Sequence, residues 1–333
     1  MKRASSIDLA PVKVQKVKLL SEIMTGSGTP RYREISWTDE EKHCTALQVF
    51  SNMIVVGWNN GQVKVYNSTN LNCQTVSNYG TTEVTCLQCT GTEIIAGYED
   101  GNICVWNIQR GVRMQTLSVV TGNCPIHFPT CMRWRDQKLI AGTAHGRIHV
   151  WQYANSSFAL RGSWDAGDSH VCDVDFNENY VILGPSCRSE SVKIHDFNGD
   201  KIRSISSRGG ILQMALRKNI LITCNRYGTL EIWDITTGTV VKELKDLVVR
   251  MFGSDSHNGV IASGNRRENV TVWKIDTALE GSEAESASLP HSRIKCVPFD
   301  AFVGEIKLGP NFVVAKTTDC EDQKKIFVTD FLS

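Results

Sequence analysis

A hairpin-sized pattern recurs seven times along this chain, and a repeat of that kind limits the fold more than any composition does. Each copy has an apolar run ending in Gly or another small residue. A polar turn follows, then a second run that closes on an aromatic. Five copies are plain: MIVVGWNNGQVKVYN (53–67), EIIAGYEDGNICVWN (93–107), KLIAGTAHGRIHVWQ (138–152), NILITCNRYGTLEIWD (219–234) and GVIASGNRRENVTVWK (259–274). Two weaker copies, YVILGPSCRSESVKIHD (180–196) and FVVAKTTDCEDQKKIFVTD (312–330), fill the remaining intervals. In every copy the second run places apolar residues two apart, as at Val63/Val65, Ile103/Val105 and Leu230/Ile232. Period-two apolarity is a strand signal, because successive side chains point to opposite faces of a sheet. Taking Val65, Val105, Val150, Ile194, Ile232, Val272 and Val328 as markers, successive differences are 40, 45, 44, 38, 40 and 56 residues. A period of roughly 40–45 residues is the length of a four-stranded unit that cannot bury its own faces and must stack on copies of itself.

The other two strands of each unit follow from rhythm. An inner strand precedes each hairpin, at 45–50, 84–89, 131–135, 171–176, 211–216, 248–253 and 302–308. An outer strand follows, at 73–76, 113–117, 158–162, 201–205 and 240–244, with 293–298 as the sixth after a long polar stretch. Seven hairpins thus leave one outer strand missing. Residues 32–37 (YREISW) sit where it belongs, which predicts a closed ring whose last unit is completed by the N-terminal strand. Closure of this kind hides sheet edges that would otherwise template aggregation. Residues 1–30 are expected to form a flexible basic tail, and residues 31–333 the ring.

The segment 97–106, with its Gly-x-x-Asp-Gly-x-Ile-x-Val-Trp spelling, resembles the WD repeat, and the copies around Trp151, Trp233 and Trp273 are similar. The resemblance covers residues 32–331 and implies an all-β, seven-bladed WD-repeat β-propeller. VTCLQ at 84–88, just before a hairpin, resembles the propellers of F-box/WD substrate receptors. Only Trp233-Asp234 spells the Trp-Asp pair, and the Gly-His pair that opens a typical repeat is absent. The family's buried Asp–His–Ser–Trp hydrogen-bond tetrad is therefore expected to be incomplete in most blades, with the tryptophans acting mainly as packing bulk.

Chemistry-bearing motifs are scarce. The chain holds no G-x-S-x-G, P-loop or G-x-G-x-x-G, and its eight histidines show no H-E-x-x-H. Cys86 and Cys89 form a C-x-x-C, but positions three apart on a strand face opposite ways and cannot chelate one ion. Twelve scattered cysteines read as buried thiols in a reducing compartment. The acidic pairs Glu99-Asp100 and Asp173/Asp175 are expected to be solvated turn and strand-end residues. Catalytic, metal and cofactor sites are accordingly expected to be absent. A net charge of +1 argues against nucleic acid as partner, and no run of about 20 apolar residues is long enough to span a bilayer as a helix. The basic N-terminus lacks a signal-peptide core. The expected address is cytoplasmic or nuclear, in which case the sequons at Asn67, Asn155 and Asn269 are coincidental.

The expected function is a non-catalytic scaffold or recognition subunit that holds other proteins. In a ring of such units the turns inside the hairpins, and the loops entering the inner strands, meet on one rim. Arg188, Arg208, Arg226, Arg250, Arg266 and Arg267 fall on those segments. Planar guanidinium forks suit carboxylate or phosphate recognition, so an acidic or phosphorylated peptide is the expected ligand, with Trp58 and Tyr98 as aromatic anchors. Arg226 and Arg266 best match the turn arginines that grip phosphorylated degrons in the F-box/WD propellers. Three alternatives stay open: a ubiquitin-ligase substrate receptor, although no F-box and no Trp-Asp-x-Arg signature are seen, a propeller enzyme, and an RNA-binding propeller.

Overall fold

The alternating apolar runs form strands throughout. A computed structural model describes residues 32–37, 43–120, 127–167, 170–186, 191–207, 209–225, 227, 229–244, 249–255, 260–265, 269–274, 291–295, 301–309, 312–319 and 324–330. The N-terminal strand is β1 (Tyr32–Ile35). Blade 1 holds β2 (Cys44–Phe50), β3 (Met53–Trp58), β4 (Gln62–Asn67) and β5 (Cys73–Asn78). Blade 2 holds β6 (Val84–Cys89), β7 (Glu93–Tyr98), β8 (Asn102–Asn107) and β9 (Val112–Ser118). Blade 3 holds β10 (Pro129–Arg135), β11 (Lys138–Thr143), β12 (Arg147–Ala154) and β13 (Ser157–Asp165). Blade 4 holds β14 (Val171–Phe176), β15 (Val181–Pro185), β16 (Val192–His195) and β17 (Lys201–Ile205). Blade 5 holds β18 (Ile211–Arg217), β19 (Ile220–Asn225), β20 (Leu230–Asp234) and β21 (Thr239–Leu244). Blade 6, described here by its backbone, holds β22 (Val249–Asp255), β23 (Val260–Asn265), β24 (Asn269–Lys274) and β25 (His291–Lys295). Blade 7 holds β26 (Ala301–Leu308), β27 (Phe312–Asp319) and β28 (Lys324–Asp330).

Every sheet has four antiparallel strands in sequence order except the last, whose order is β1-β28-β27-β26. The N-terminal strand therefore supplies the outer strand of blade 7, with Tyr32 opposite Thr329 and Ile35 opposite Ile326. Arg33 locks this seam by a two-pronged bond to Asp330, 2.7 and 2.5 Å. Inner strands contact their neighbours all the way round: β2 with β6, β6 with β10, β10 with β14, β14 with β18, β18 with β22, β22 with β26, and β26 with β2. The fold is an all-β propeller. Its outer strand in blade 6 spans 291–295 rather than 293–298, and the tail expected at 1–30 lies outside the described residues.

The apolar cores lie between blades, as the repeat requires. One core joins Val55, Val63 and Val65 of blade 1 to Ile94, Cys104 and Trp106 of blade 2. Another joins Ile103 and Val105 of blade 2 to Leu139 and Trp151 of blade 3. A third joins Ile182 and Ile194 to Leu221 and Trp233, across blades 4 and 5. At the seam, Ile35, Val314, Ile326 and Val328 pack on Leu47, Ile54 and Val56.

The small residue near the end of the second strand has a steric reason. A Cβ on Gly57 would lie 2.5 Å from Val84 Cγ1, and one on Gly97 2.7 Å from both Cys86 Sγ and Pro129 Cγ. On Gly142 it would sit 2.7 Å from Val171 Cγ1, and on Gly184 2.9 Å from Ile211 Cγ2. In all four, the first residue of the next inner strand occupies the space. Overpacking at such contacts typically costs about 1–3 kcal/mol. Gly97→Ala should therefore lower unfolding free energy by roughly 2 kcal/mol in urea titration. Gly162→Ala, where the nearest atom lies 3.9 Å away, should leave it unchanged or raised.

Candidate functional site

The inner strands line a central channel, and their side chains tie each blade to the next. A bulge falls at the same place in inner strands β2, β6, β10, β14 and β18. In the first three it presents a threonine whose hydroxyl donates to the next blade's first inner carbonyl. Thr45 reaches Val84 O at 2.5 Å, Thr85 reaches Pro129 O at 2.5 Å, and Thr130 reaches Val171 O at 2.6 Å. Gln88 forms a second rung: its Nε2 donates to Met132 O at 2.9 Å, and its Oε1 accepts from Trp134 N at 3.1 Å.

From blade 3 onward these stitches become ionic. Arg133 donates to Val174 O at 3.2 Å and lies 3.5 Å from Asp173 and 3.6 Å from Asp175. Arg135 pairs with Asp175 and also donates to Phe176 O. On the far side, Asp173 accepts from Met214 N at 2.7 Å and Asp175 from Leu216 N at 2.8 Å. Two carboxylates thus join blades 3, 4 and 5. Burial pushes the Asp173 carboxyl above the usual carboxylate range, opposed by the Arg133 charge and the Met214 N–H. The expectation that Asp173 and Asp175 are solvated is therefore corrected: the Asp175 side chain is only 5% exposed. A sequence signal existed, since Arg133 and Asp175 occupy equivalent places in consecutive repeats. Glu99 and Asp100 are exposed, as expected. The channel encloses a cavity of about 220 Å³ whose lining includes Gln48, Arg133, Asp173, Gln213, Glu305 and Lys307.

Other polar groups of the interior are accounted for locally. Cys86 and Cys89 fall into different inter-blade cores, on opposite faces of β6. Burial raises both thiols, that of Cys86 to about 12. Among the described residues no group of three or more His, Cys, Asp or Glu could hold a metal ion. One remnant of a WD tetrad survives in blade 5. There Trp233 Nε1 donates to Thr223 Oγ1 at 3.1 Å, and both Thr223 and Ser207 donate to Glu231. Trp106 Nε1, by contrast, is buried with, among the described residues, only the Tyr98 hydroxyl as a polar neighbour, so blade 2 lacks the blade 5 network. His195 takes the tryptophan position in blade 4, where Trp164 of blade 3 stacks on it at 6.2 Å.

The two aromatic anchors expected on the rim are interior residues. Trp58 is 3% and Tyr98 0% exposed. Tyr98 is in phase with Ile94 and Ala96 and joins their core, where its hydroxyl meets Ser77 Oγ at 3.2 Å. Trp58, in phase with Ile54 and Val56, packs edge-on against Trp37 at 4.8 Å. Period two decides both cases: a strand-end aromatic stays on the face of its strand. Arg188, Arg208, Arg226, Arg266 and Arg267 lie outside the described residues, as does the side chain of Arg250, whose backbone belongs to β22. Among the described residues, Tyr227, 62% accessible, is an exposed aromatic between blade 5's hairpin strands. Its backbone N–H donates to Asn225 Oδ1 at 3.0 Å. Its ring lies so close over Gly209 that a Cβ there would fall 2.1 Å from Cε2.

Comparisons with known proteins agree with this geometry. Residues 38–129 match the family described as the Vps8 β-propeller. The nuclear distribution protein nudF of Emericella nidulans is 32% identical over 109 residues, which is 32% of this chain and 22% of that protein. The WD repeat-containing protein 55 homolog of Drosophila yakuba is 23% identical over 136 residues, 38% of this chain and 27% of that protein. This chain is a β-propeller similar, over about a third of its length, to WD-repeat proteins. A chain from the crystal structure of the mitotic checkpoint complex superposes with a TM-score of 0.69 at 15% identity, over 99% of both chains. The computationally designed Ika8 protein superposes at 0.61 and 20% identity, over 87% of this chain and 98% of its own. The matched stretches span about a quarter of the curated relatives' own lengths. These likenesses hold at the level of the WD-repeat propeller and do not single out the F-box/WD receptors.

Two predictions test this account of the channel and its flanks. Removing one partner of a buried ion pair costs about 3–5 kcal/mol, reduced here by the part-exposed arginines. Asp175→Ala should therefore lower unfolding free energy by roughly 3 kcal/mol in urea. His149, 1% exposed and stacked on Trp151 at 5.5 Å, has neither ring nitrogen hydrogen-bonded. Burial, with help from Arg147 and His127, lowers its pKa to about 4. The unfolded chain, with His149 near 6.5, then binds the proton that the folded chain refuses. Stability should fall as pH drops from about 6.5 to 4, by up to roughly 3 kcal/mol from this group. Thermal melts of His149→Leu across that window should show a shallower loss.

Proposed function

We propose that this propeller is a non-catalytic protein-interaction scaffold or recognition subunit, which binds an acidic or phosphorylated peptide on the rim formed by the hairpin turns of blades 4 to 6. The contact between Tyr227 and Gly209 is the observation that carries the reading. These two residues are the sequence neighbours of Arg226 and Arg208, so the turn and the loop that bring those arginines meet at one place on blade 5. Tyr227, rather than Trp58 or Tyr98, is the aromatic available to a ligand there. An exposed ring held by a pinned turn, with arginines adjoining it in the sequence, suits a peptide with a carboxylate or phosphate group. Blade 2 presents Glu99 and Asp100 on the same rim, which would repel an acidic peptide and orient it toward blades 4 to 6.

Relatives named for nuclear distribution and a structural neighbour from a checkpoint complex support a role among other proteins. Their activities and partners come to this chain only as part of this proposal. A titration of the chain's anionic partner against the Arg226→Glu, Arg266→Glu variant tests it. Affinity should fall by about 100-fold, the loss expected when two charge-assisted contacts are reversed. Tyr227→Ala should fall by about tenfold. Unchanged affinity in the double variant would remove the rim from the account.

A further inference from the structure

A second surface lies on the outer circumference, away from the arginine rim. In blades 2, 3, 4 and 5 the outer strand bulges at one equivalent place, next to the residue at the tryptophan position of the third strand: Trp106, Trp151, His195 and Trp233. The bulged residues are Met114, Arg161, Ile202 and Val241, preceded by Arg113, Leu160, Lys201 and Val240. Blades 2 to 4 therefore each pair one aliphatic with one cation at the bulge. Blade 5 places two valines before Lys242.

The aliphatics are exposed: Met114 by 52%, Leu160 by 55%, Ile202 by 52%, Val240 by 46% and Val241 by 45%. Bulges and cations on an edge strand guard against strand addition, and that accounts for the backbone and the charges. It does not account for an exposed apolar side chain at, or next to, the bulge of four consecutive blades. Single exposed aliphatics are ordinary, but one recurring with a cation at or next to the bulge in blades 2 to 4, and again in blade 5, makes a row of like sites around the circumference.

Two features select the occupant. The bulge pairs hold cations and no carboxylate, so an acidic partner is complementary. From blade 2 to blade 5 the ring turns through three-sevenths of a circle. A flat bilayer touches only a short arc of so convex a surface, whereas a flexible chain can follow all four bulges. The bulges also break the edge ladder, so side chains rather than backbone pairing would supply the contacts. We infer that the outer edges of blades 2 to 5 form a docking belt for an acidic, aliphatic-bearing segment of a partner protein, held by Met114, Leu160, Ile202 and Val241 with Arg113, Arg161 and Lys201 beside them.

The test uses the full chain and a fluorescein-labelled peptide of eight Asp-Glu-Leu repeats, with eight Asp-Glu-Ser repeats as control. The leucine peptide should bind and the serine peptide should bind at least about tenfold more weakly. The Met114→Ser, Leu160→Ser, Ile202→Ser variant should lose about tenfold for the leucine peptide, with an unchanged melting temperature because these side chains face solvent. Arg161→Glu with Lys201→Glu gives a second arm and should weaken binding further at low salt than at high salt. In the Arg226→Glu, Arg266→Glu variant, which removes any hold of the rim on acidic chains, the preference for the leucine over the serine peptide should persist, which separates the belt from the rim. Equal affinity for both peptides, or equal affinity in the serine variant, overturns the belt. Anionic phosphatidylcholine–phosphatidylserine vesicles whose binding is lost in the serine variant, with no peptide binding, overturn the choice of a protein partner.

Discussion

Blades radiate from the channel lined by their inner strands, and among the described residues no backbone ladder joins one blade to the next. Side-chain-to-backbone bonds across that gap are the interaction on which the ring depends. They run in one direction: Thr45, Thr85 and Thr130 each reach the following blade's carbonyl, and Gln88, Arg133 and Asp175 each reach the following blade's backbone one rung further along. Each is a modest bond of about 1 kcal/mol when neutral and somewhat more when charged. Their value lies in fixing the wedge angle, so that the apolar faces on either side come into contact. The glycines at 57, 97, 142 and 184 serve the same end by letting the next blade approach.

Much of this architecture was legible in the sequence because period-two patterning and a repeat near 40 residues are both local signals. Inner and outer strands fell within a few residues of their rhythm-based positions, and the N-terminal strand completes the last sheet. The sixth outer strand was displaced by two residues, where a long connection dilutes the rhythm. What local patterning could not give was the environment at strand ends. Trp58 and Tyr98 read as rim residues because they adjoin turns. Their burial depends on the neighbouring blade that covers them. Asp173 and Asp175 read as solvated because their arginine partners lie about 40 residues upstream, in the preceding repeat. Tyr227 was visible as a turn residue, but its selection over the other aromatics required the contact with Gly209.

A rigid ring separates its surfaces by geometry. Hairpin turns and entry loops form one rim, and there the exposed Tyr227 ring packs over Gly209. The channel is saturated with stitches that serve stability. The circumference carries edge strands whose bulges hold a repeated pair of apolar and basic side chains. Each surface draws on a different strand of the blade, so each can be altered without disturbing the others. That separation suits a protein that holds several partners at once.

The central claim is that the blades form one closed, mutually supporting ring whose seam is the pairing of β1 with β28. Along that seam Arg33 grips Asp330 with two bonds, and Ile35 enters the core shared by blades 7 and 1. Hydrogen–deuterium exchange of the chain lacking residues 1–37, compared with the full chain, tests it most directly. The account predicts faster exchange not only in β26 to β28 but also in β2 to β4, whose apolar face the seam covers. Protection lost in β28 alone, with blade 1 exchanging as before, would contradict a ring that depends on its closure.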